Sequence, residues 1–492
     1  MRILLASSEV YPYSKTGGLA DMVGALAKAL GRAGHQVGIV TPLYGPIRAR
    51  FPDLQKLDWH MDLPLGPARV IADVWVRDHS ENVLTYFVNQ PHFYDRAGIY
   101  NEAGVDYPDN AERYLFFAKT VVHLARHLPL APEVIHVHDW QVGLVPILAL
   151  HHRLTQGWPS PPRTCYTIHN LAYQGIFRRP YYELTNLPID YFNPNGVEFY
   201  AHINCMKAGI VYADTLTTVS PRYAREIMTE EFGCGLDDRL RLRQDALFGI
   251  LNGVDYDEWK TENNPHLRHS YSAANLAGKL SNKLDLQLEL GLPKNPRVPL
   301  FGSITRLADQ KGIDITLGAL EEMLSSNMQF ALLGTGAPAY EKALTQMQAR
   351  YPARVAVRIG YDHGLSHRIE AGSDFFLMPS RYEPSGLNQM YSLRYGTIPI
   401  VRTTGGLDDS VTDISEDVNR ADGIKFNEYS VRALARAIRK ALVLYERADL
   451  MEHYRKNAMK TDFSWEKTAK EYEKAYRGGL NITNIVRKTD GA

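Results

Sequence analysis

Cysteine is scarce in this chain. Cys165, Cys205 and Cys234 are the only three in 492 residues, too few and too far apart for a disulfide framework or a cysteine metal site. That scarcity points to a reducing compartment, and the cytoplasm is the expected location. Neither charge is in excess: 55 Lys and Arg balance 55 Asp and Glu. The balance gives no support for a nucleic-acid partner or for docking on an acidic membrane surface. No apolar run approaches the roughly 18 residues of a membrane span. The apolar start, Met1 to Ala6, breaks at Ser7-Ser8-Glu9, too soon for a secretory core. Short repeats and low-complexity stretches are missing as well. A composition of 45% hydrophobic and 22% charged residues is that of an ordinary folded protein, and the length calls for at least two domains.

What is present is alternation. Aliphatic and β-branched runs at 3–6, 36–41, 84–88, 134–138, 164–169 and 215–219 predict strands, with helical periodicity over 111–128, 142–153 and 221–231. Strands this apolar, separated by helices, predict a parallel sheet covered on both faces. The stretch 176–204, rich in Tyr, Pro and Asn, reads as loop. The second half repeats the pattern, with strands at 299–304, 329–333, 355–359, 375–378 and 399–401 and a helix over 313–324. The expected fold class is α/β, with two Rossmann-like doubly wound domains facing a deep cleft. The first covers 1–250 and the second 266–462. A hinge lies at 251–265, around the Asn252-Gly253 turn, and a helix in 463–492 packs back toward the first domain.

Three stretches carry candidate chemistry. Ser14-Lys15-Thr16-Gly17-Gly18-Leu19-Ala20-Asp21 joins the first strand to a helix. Its glycines let a ligand approach the backbone, the helix start favours an anion, and Lys15 adds a cation. An ordinary turn with a solvated lysine is the plain alternative. On the loop after the second domain's first strand, Arg306 and Lys311 suit a pyrophosphate, one as a fork and one as a point charge. In Glu383-Pro384-Ser385-Gly386-Leu387-Asn388, Ser385 is placed as N-cap of a helix from about Gly386, whose N–H groups would face a diphosphate. Glu383 just before it can hold sugar hydroxyls or steady positive charge on an anomeric carbon; complementing the helix dipole is its plain role. His136-Val137-His138-Asp139-Trp140 and His169-Asn170 close two first-domain strands. Sugar recognition by Asp139, Trp140, His169 and Asn170 outweighs a metal site there, because Asp139 points away from the face shared by the two histidines. Asp255-x-Asp257 reads as a capped turn rather than a metal-binding carboxylate pair. No metal and no cofactor are expected.

Lys-Thr-Gly-Gly-Leu-Ala-Asp at 15–21, the 378–389 run and Arg402-Thr403-Thr404-Gly405-Gly406-Leu407, in this order, resemble the bacterial glycogen synthase and plant starch synthase family over nearly the whole chain. Supporting blocks lie at 271–283 and 359–362. The resemblance implies a retaining transferase of the GT-B type that moves glucose from ADP-glucose to the non-reducing end of an α-1,4-glucan, glycogen or a maltooligosaccharide. By position, it places Lys15, Gly18 and Asp21 at the donor corner and Arg306 and Lys311 on the diphosphate, joined by the N–H groups of 385–388. Tyr361 falls in the adenine neighbourhood. Asp139, His169, Asn170, Asn252 and Glu383 surround the transferred glucose, with Glu383, His169 and Asp139 as the catalytic set. Many members have cysteine in place of Ser385 and another residue in place of Asn388. Related transferases carry a second glutamate where this chain has Tyr391, which disfavours mannosyl- and sucrose-phosphate-type readings. The choice of ADP over UDP rests on the family alone. Outside the family stand a phosphorylase, an epimerase and an inactive glucan-binding scaffold.

Overall fold

The computed structural model describes residues 1–79, 81–102 and 104–478, so positions 479–492 of the expected C-terminal segment lie outside the described residues. Two compact units emerge. One comprises 1–219, 224–253 and, among the described residues, 465–478; the other comprises 220–223 and 254–464.

The first unit is built on a nine-stranded sheet: β1 (Arg2–Ala6), β2 (Gln36–Pro42), β3 (Gln55–Leu65), β4 (Ala68–Asp78), β5 (Val83–Asn89), β6 (Val134–His138), β7 (Arg163–Ile168), β8 (Thr215–Thr218) and β9 (Leu247–Gly249). Its order is β9-β8-β7-β6-β1-β2-β5-β4-β3. The expectation of a parallel sheet fails at one edge, where β3 and β4 form an antiparallel hairpin and β4 pairs antiparallel with β5. The cause is visible in β3: the end of Gln55–Leu65 alternates buried and exposed, the period of a strand with one wet face. A tight connection pairs Leu65 with Ala68, and Gly66 takes it at φ +62°. The 142–153 helix starts later than its periodicity suggests, at Val145 with Pro146 in its first turn, after a short 3₁₀ turn at Trp140–Val142. The helix placed over 221–231 ends at Glu226. The 176–204 stretch holds a small three-stranded sheet among 3₁₀ turns.

In the second unit every strand pair is parallel: β10 (Leu300–Leu307), β11 (Gln329–Gly336), β12 (Val355–Ile359), β13 (Phe375–Met378), β14 (Ile398–Arg402) and β15 (Ile424–Phe426), in the order β12-β11-β10-β13-β14-β15. That is the doubly wound arrangement, in which the first two strands added lie on one side and the rest on the other. Phe301, Phe330, Leu332, Phe375 and Leu377 form its core with Leu434 and Ile438 of the Val431–Tyr445 helix. The 271–283 block serves this architecture. Lys283 is buried and bonds the Asp374 carboxylate at 2.6 Å beside β13, while Lys279 reaches the Ala371 carbonyl and the Thr397 hydroxyl.

The chain leaves the first unit after Gly253 and returns at Trp465. The returning helix, Trp465–Gly478, buries Trp465, Tyr472 and Tyr476 in the first unit. Glu473 meets His35 at 2.9 Å, and the Tyr476 hydroxyl meets Nδ1 of His136 at 2.9 Å.

Candidate active site

In open α/β sheets ligands bind beyond the carboxyl ends of the strands, where the strand order reverses. In the first unit the reversal lies between β1 and β6. β1 delivers Ser7, Ser8 and Glu9 there; β6 delivers Asp139 and Trp140.

Glu9 is the residue that sequence reasoning missed. It is 3% exposed, and its carboxylate accepts the backbone N–H groups of Thr16 and Gly17, the Thr16 hydroxyl at 2.6 Å and the Tyr100 hydroxyl at 2.7 Å. The glycine corner therefore holds a carboxylate from its own chain, and its first N–H groups are already satisfied. The signal was a polar Ser-Ser-Glu ending an apolar strand at a switch point. Lys15 pairs with Asp21 at 2.7 Å, both partly exposed, so the pair orients the ammonium more than it stabilises the fold. Gly18 opens the Gly18–Arg32 helix. Gly17 is extended at φ −152°, a conformation open to any residue, and a Cβ there would meet nothing within 4 Å. The fold itself gives no reason for that glycine.

Asp139 is held at φ 61°, ψ −175°, a region favouring glycine. Its Oδ1 accepts the His169 backbone N–H at 2.7 Å, and the Asn170 N–H also bonds this carboxylate. Burial pushes the carboxyl up to about 7, against the pull of those two N–H groups. The aspartate thus clamps the loop after β7 onto the end of β6. Beyond the clamp, His169 Nε2 lies 3.1 Å from His138 Nδ1, and His136 contacts the Thr167 hydroxyl at 2.5 Å. Burial lowers all three imidazoles, His136 and His169 to about 3, so they are neutral. Trp140 packs edge-on to Tyr114 and Phe177 and presses on Gly175, where a Cβ would lie 2.3 Å from the indole. Asn170 closes a turn by accepting the Ala172 N–H at 3.1 Å. Asn252 is buried just after β9.

The second unit reverses between β10 and β13. Arg306 stands exposed near the end of β10, and Lys311 closes the short turn that follows. Glu383 follows β13, 6% exposed. Its Oε2 accepts the Lys311 ammonium at 2.5 Å and the Ser380 hydroxyl at 3.0 Å. The expected helix cap is corrected here. The helix runs Asn388–Arg394 with Leu387 at its N-cap, and the Ser385 hydroxyl bonds the Gly386 carbonyl at 3.2 Å. Gly386 at φ +65° turns the chain away from helical geometry, which delays the start. Asn388 ties the new helix to β10 through the Ile304 carbonyl at 2.6 Å. Behind Glu383, a Cβ on Gly405 would lie 2.0 Å from the Glu383 carbonyl oxygen, and one on Gly406 2.0 Å from that of Ser385. Tyr361, after β12, is 79% exposed.

The starch synthase catalytic domain model matches residues 2–242, and the model for group 1 glycosyl transferases matches 290–461. A glycogen synthase from Anaeromyxobacter sp. (strain Fw109-5) is 47% identical over 97% of this chain and 99% of its own length. One from Thermosipho melanesiensis is 42% identical over 98% and 99%. Among solved structures, the catalytic domain of starch synthase IV from Arabidopsis thaliana, bound to ADP and acarbose, aligns with a TM-score of 0.89 at 33% identity, covering 97% of this chain and 99% of that one. Sucrose-phosphate synthase from Thermosynechococcus elongatus shares the fold, with a TM-score of 0.59 at 19% identity over 96% and 98%. Two doubly wound units with these matches define a glycosyltransferase of the GT-B type. More narrowly, the chain belongs to the glycogen synthase and starch synthase family, and its activity is the glucosyl transfer that builds glycogen. Among the described residues no helix is long and apolar enough to cross a membrane.

Proposed function

We propose that the donor is ADP-glucose and the acceptor the non-reducing end of an α-1,4-glucan, with the anomeric configuration retained. The observation that carries this reading is the likeness, over 97% of the chain, to a starch synthase domain bound to ADP and acarbose. Departure of ADP builds negative charge on the diphosphate, and cations already fixed in place stabilise it more in the transition state than before. Arg306 and Lys311 supply those cations. An ammonium has three donors; Glu383 takes one of Lys311's, which leaves the others for phosphate. Lys15, oriented by Asp21, and the open backbone at Gly17 and Gly18 complete the donor corner, and Tyr361 faces adenine.

Glu383 acts beside the anomeric centre, holding sugar hydroxyls and balancing oxocarbenium charge. Its Oε2 is engaged by two donors, an arrangement suited to a fixed charge rather than a covalent nucleophile. Attack then comes on the face the phosphate leaves, and the phosphate takes the acceptor's proton. His169, Asn170, Trp140 and Asn252 surround the sugar, with Asp139 positioning His169 and Asn170 through their backbone. Ser385 to Asn388 line the diphosphate side. The expected location is the cytoplasm, where three free thiols are stable.

The test is transfer of labelled glucose to glycogen from ADP-glucose and from UDP-glucose, with wild type and Glu383→Gln. Transfer from ADP-glucose that falls by about 10²–10³ in the folded variant is the expected result. Preference for UDP-glucose overturns the donor. An unchanged rate in Glu383→Gln removes that residue from the chemistry. No transfer from either donor favours the glucan-binding scaffold.

A further inference from the structure

The second unit brings three histidines together just after Tyr361. His363 and His367 lie one turn apart on the His363–Gly372 helix, and His266 comes from the loop near the start of the unit. One ring nitrogen from each lies within 4.8 Å of the others. His363 Nε2 is 3.3 Å from His367 Nε2 and 3.3 Å from Oε1 of Glu258. Ligands about 2.0–2.1 Å from a tetrahedral zinc stand roughly 3.3–3.4 Å from one another. Both contacts already have that spacing, and histidines at i and i+4 on one helix face are a familiar way to present two such ligands.

The surroundings orient the donors. His367 is fully buried, and its Nδ1 lies 2.8 Å from the Tyr395 hydroxyl. The Asn264 amide nitrogen lies 3.2 Å from the same Nδ1, and the Nε2 atom faces His363. Asn264 accepts the His266 backbone N–H at 2.8 Å and donates to the same Tyr395 hydroxyl at 2.9 Å, fixing the loop that carries the third ligand. The Trp259 indole stacks on the His367 ring at 4.2 Å, closing one side of the cluster. Beside His266 lies a cavity of about 540 Å³, also lined by Arg268, Asp285 and Arg368.

We propose that His266, His363 and His367 bind a divalent transition metal of the zinc class. Three imidazole donors at this spacing suit Zn²⁺ and Co²⁺ and exclude the oxygen-only shells of Ca²⁺ and Mg²⁺. The other face of the Trp259 indole stacks on Tyr391 at 3.7 Å, and Tyr391 lies on the Asn388–Arg394 helix that follows Glu383. A bound ion therefore stiffens the support of that helix.

The test is titration of the full chain, stripped with chelator, with CoCl₂ and ZnCl₂. Expected are one equivalent of Co²⁺ with intense tetrahedral d–d absorption, its displacement by Zn²⁺, and a Zn²⁺-dependent rise in melting temperature. His363→Ala and His266→Ala, checked for folding by circular dichroism, should weaken binding at least tenfold. His127→Ala, which breaks the stacked His123–His127 pair on another helix, should leave it unchanged. Absence of a tetrahedral Co²⁺ spectrum, or binding that survives His363→Ala and His266→Ala, overturns the proposal. So does binding lost in His127→Ala.

Discussion

Asp139 shows how much one residue's environment decides. A non-glycine side chain at φ 61°, ψ −175° carries about 1–3 kcal/mol of backbone strain. It persists because the carboxylate there serves two buried N–H groups. Asp139→Ala removes that acceptor and keeps the strain, so stability should fall by about 1–3 kcal/mol. Asp139→Asn retains an acceptor oxygen and should stay within about 1 kcal/mol of wild type. Denaturant midpoints with an unchanged m-value measure both. An alanine variant as stable as wild type would mean that the clamp on 169–170 contributes nothing. The sequence shows that a polar Asp follows an apolar strand. It does not show that the carboxylate turns back onto backbone, because this depends on β6 and β7 being neighbours. Glu9 escaped for the same reason: its partners, Thr16, Gly17 and Tyr100, are fixed by the loop's path and by a tyrosine 91 residues away.

At the scale of elements, two strands of the second unit are legible to the residue, 355–359 and 375–378 coinciding with β12 and β13. β10 and β11 run three residues past their apolar runs, and the short β15, with Lys425 at its centre, was not expected. A buried parallel strand is a continuous apolar run, and little else in a sequence looks like one. The β3–β4 hairpin is written in the sequence only as alternation, from Leu57 to Leu65, a signal that a reading for continuous apolar runs passes over. The Gly405-Gly406 pair was recognisable as a motif without its reason, which is the backbone of Glu383 and Ser385 lying against it. Gly406→Ala puts a methyl 2.0 Å from the Ser385 carbonyl and 2.6 Å from its Cα, so the Glu383 loop must move. A displacement near 1 Å at a reacting centre costs on the order of 10²-fold in rate. We expect Gly406→Ala to lower kcat by about tenfold to a hundredfold while the protein stays folded. Gly17→Ala meets no atom within 4 Å and an ordinary φ, so its melting temperature should equal wild type. A loss of activity there, read as a raised KM for the donor, reports a ligand approaching that backbone. A Gly406→Ala enzyme with full kcat would show that the loop tolerates the shift.

For the whole molecule, continuity of the chain sets which part can fold alone. The second unit is a nearly unbroken segment, 254–464, with its own six-stranded sheet and core. The first is discontinuous: its sheet comes from 1–249, yet Tyr472 and Tyr476 from the far end of the chain close the face bearing His136, and Trp465 packs on Gly253. Burying three large aromatic side chains contributes on the order of 5–9 kcal/mol, comparable with the net stability of an entire domain. A fragment of residues 254–464 should therefore melt cooperatively with native near-ultraviolet circular dichroism, whereas 1–253 should show no cooperative transition. Joining 465–478 to 1–253 through a flexible linker should restore one. A cooperative melt of 1–253 alone would show that the sheet closes its own core, and that the C-terminal helix is an accessory rather than part of the fold.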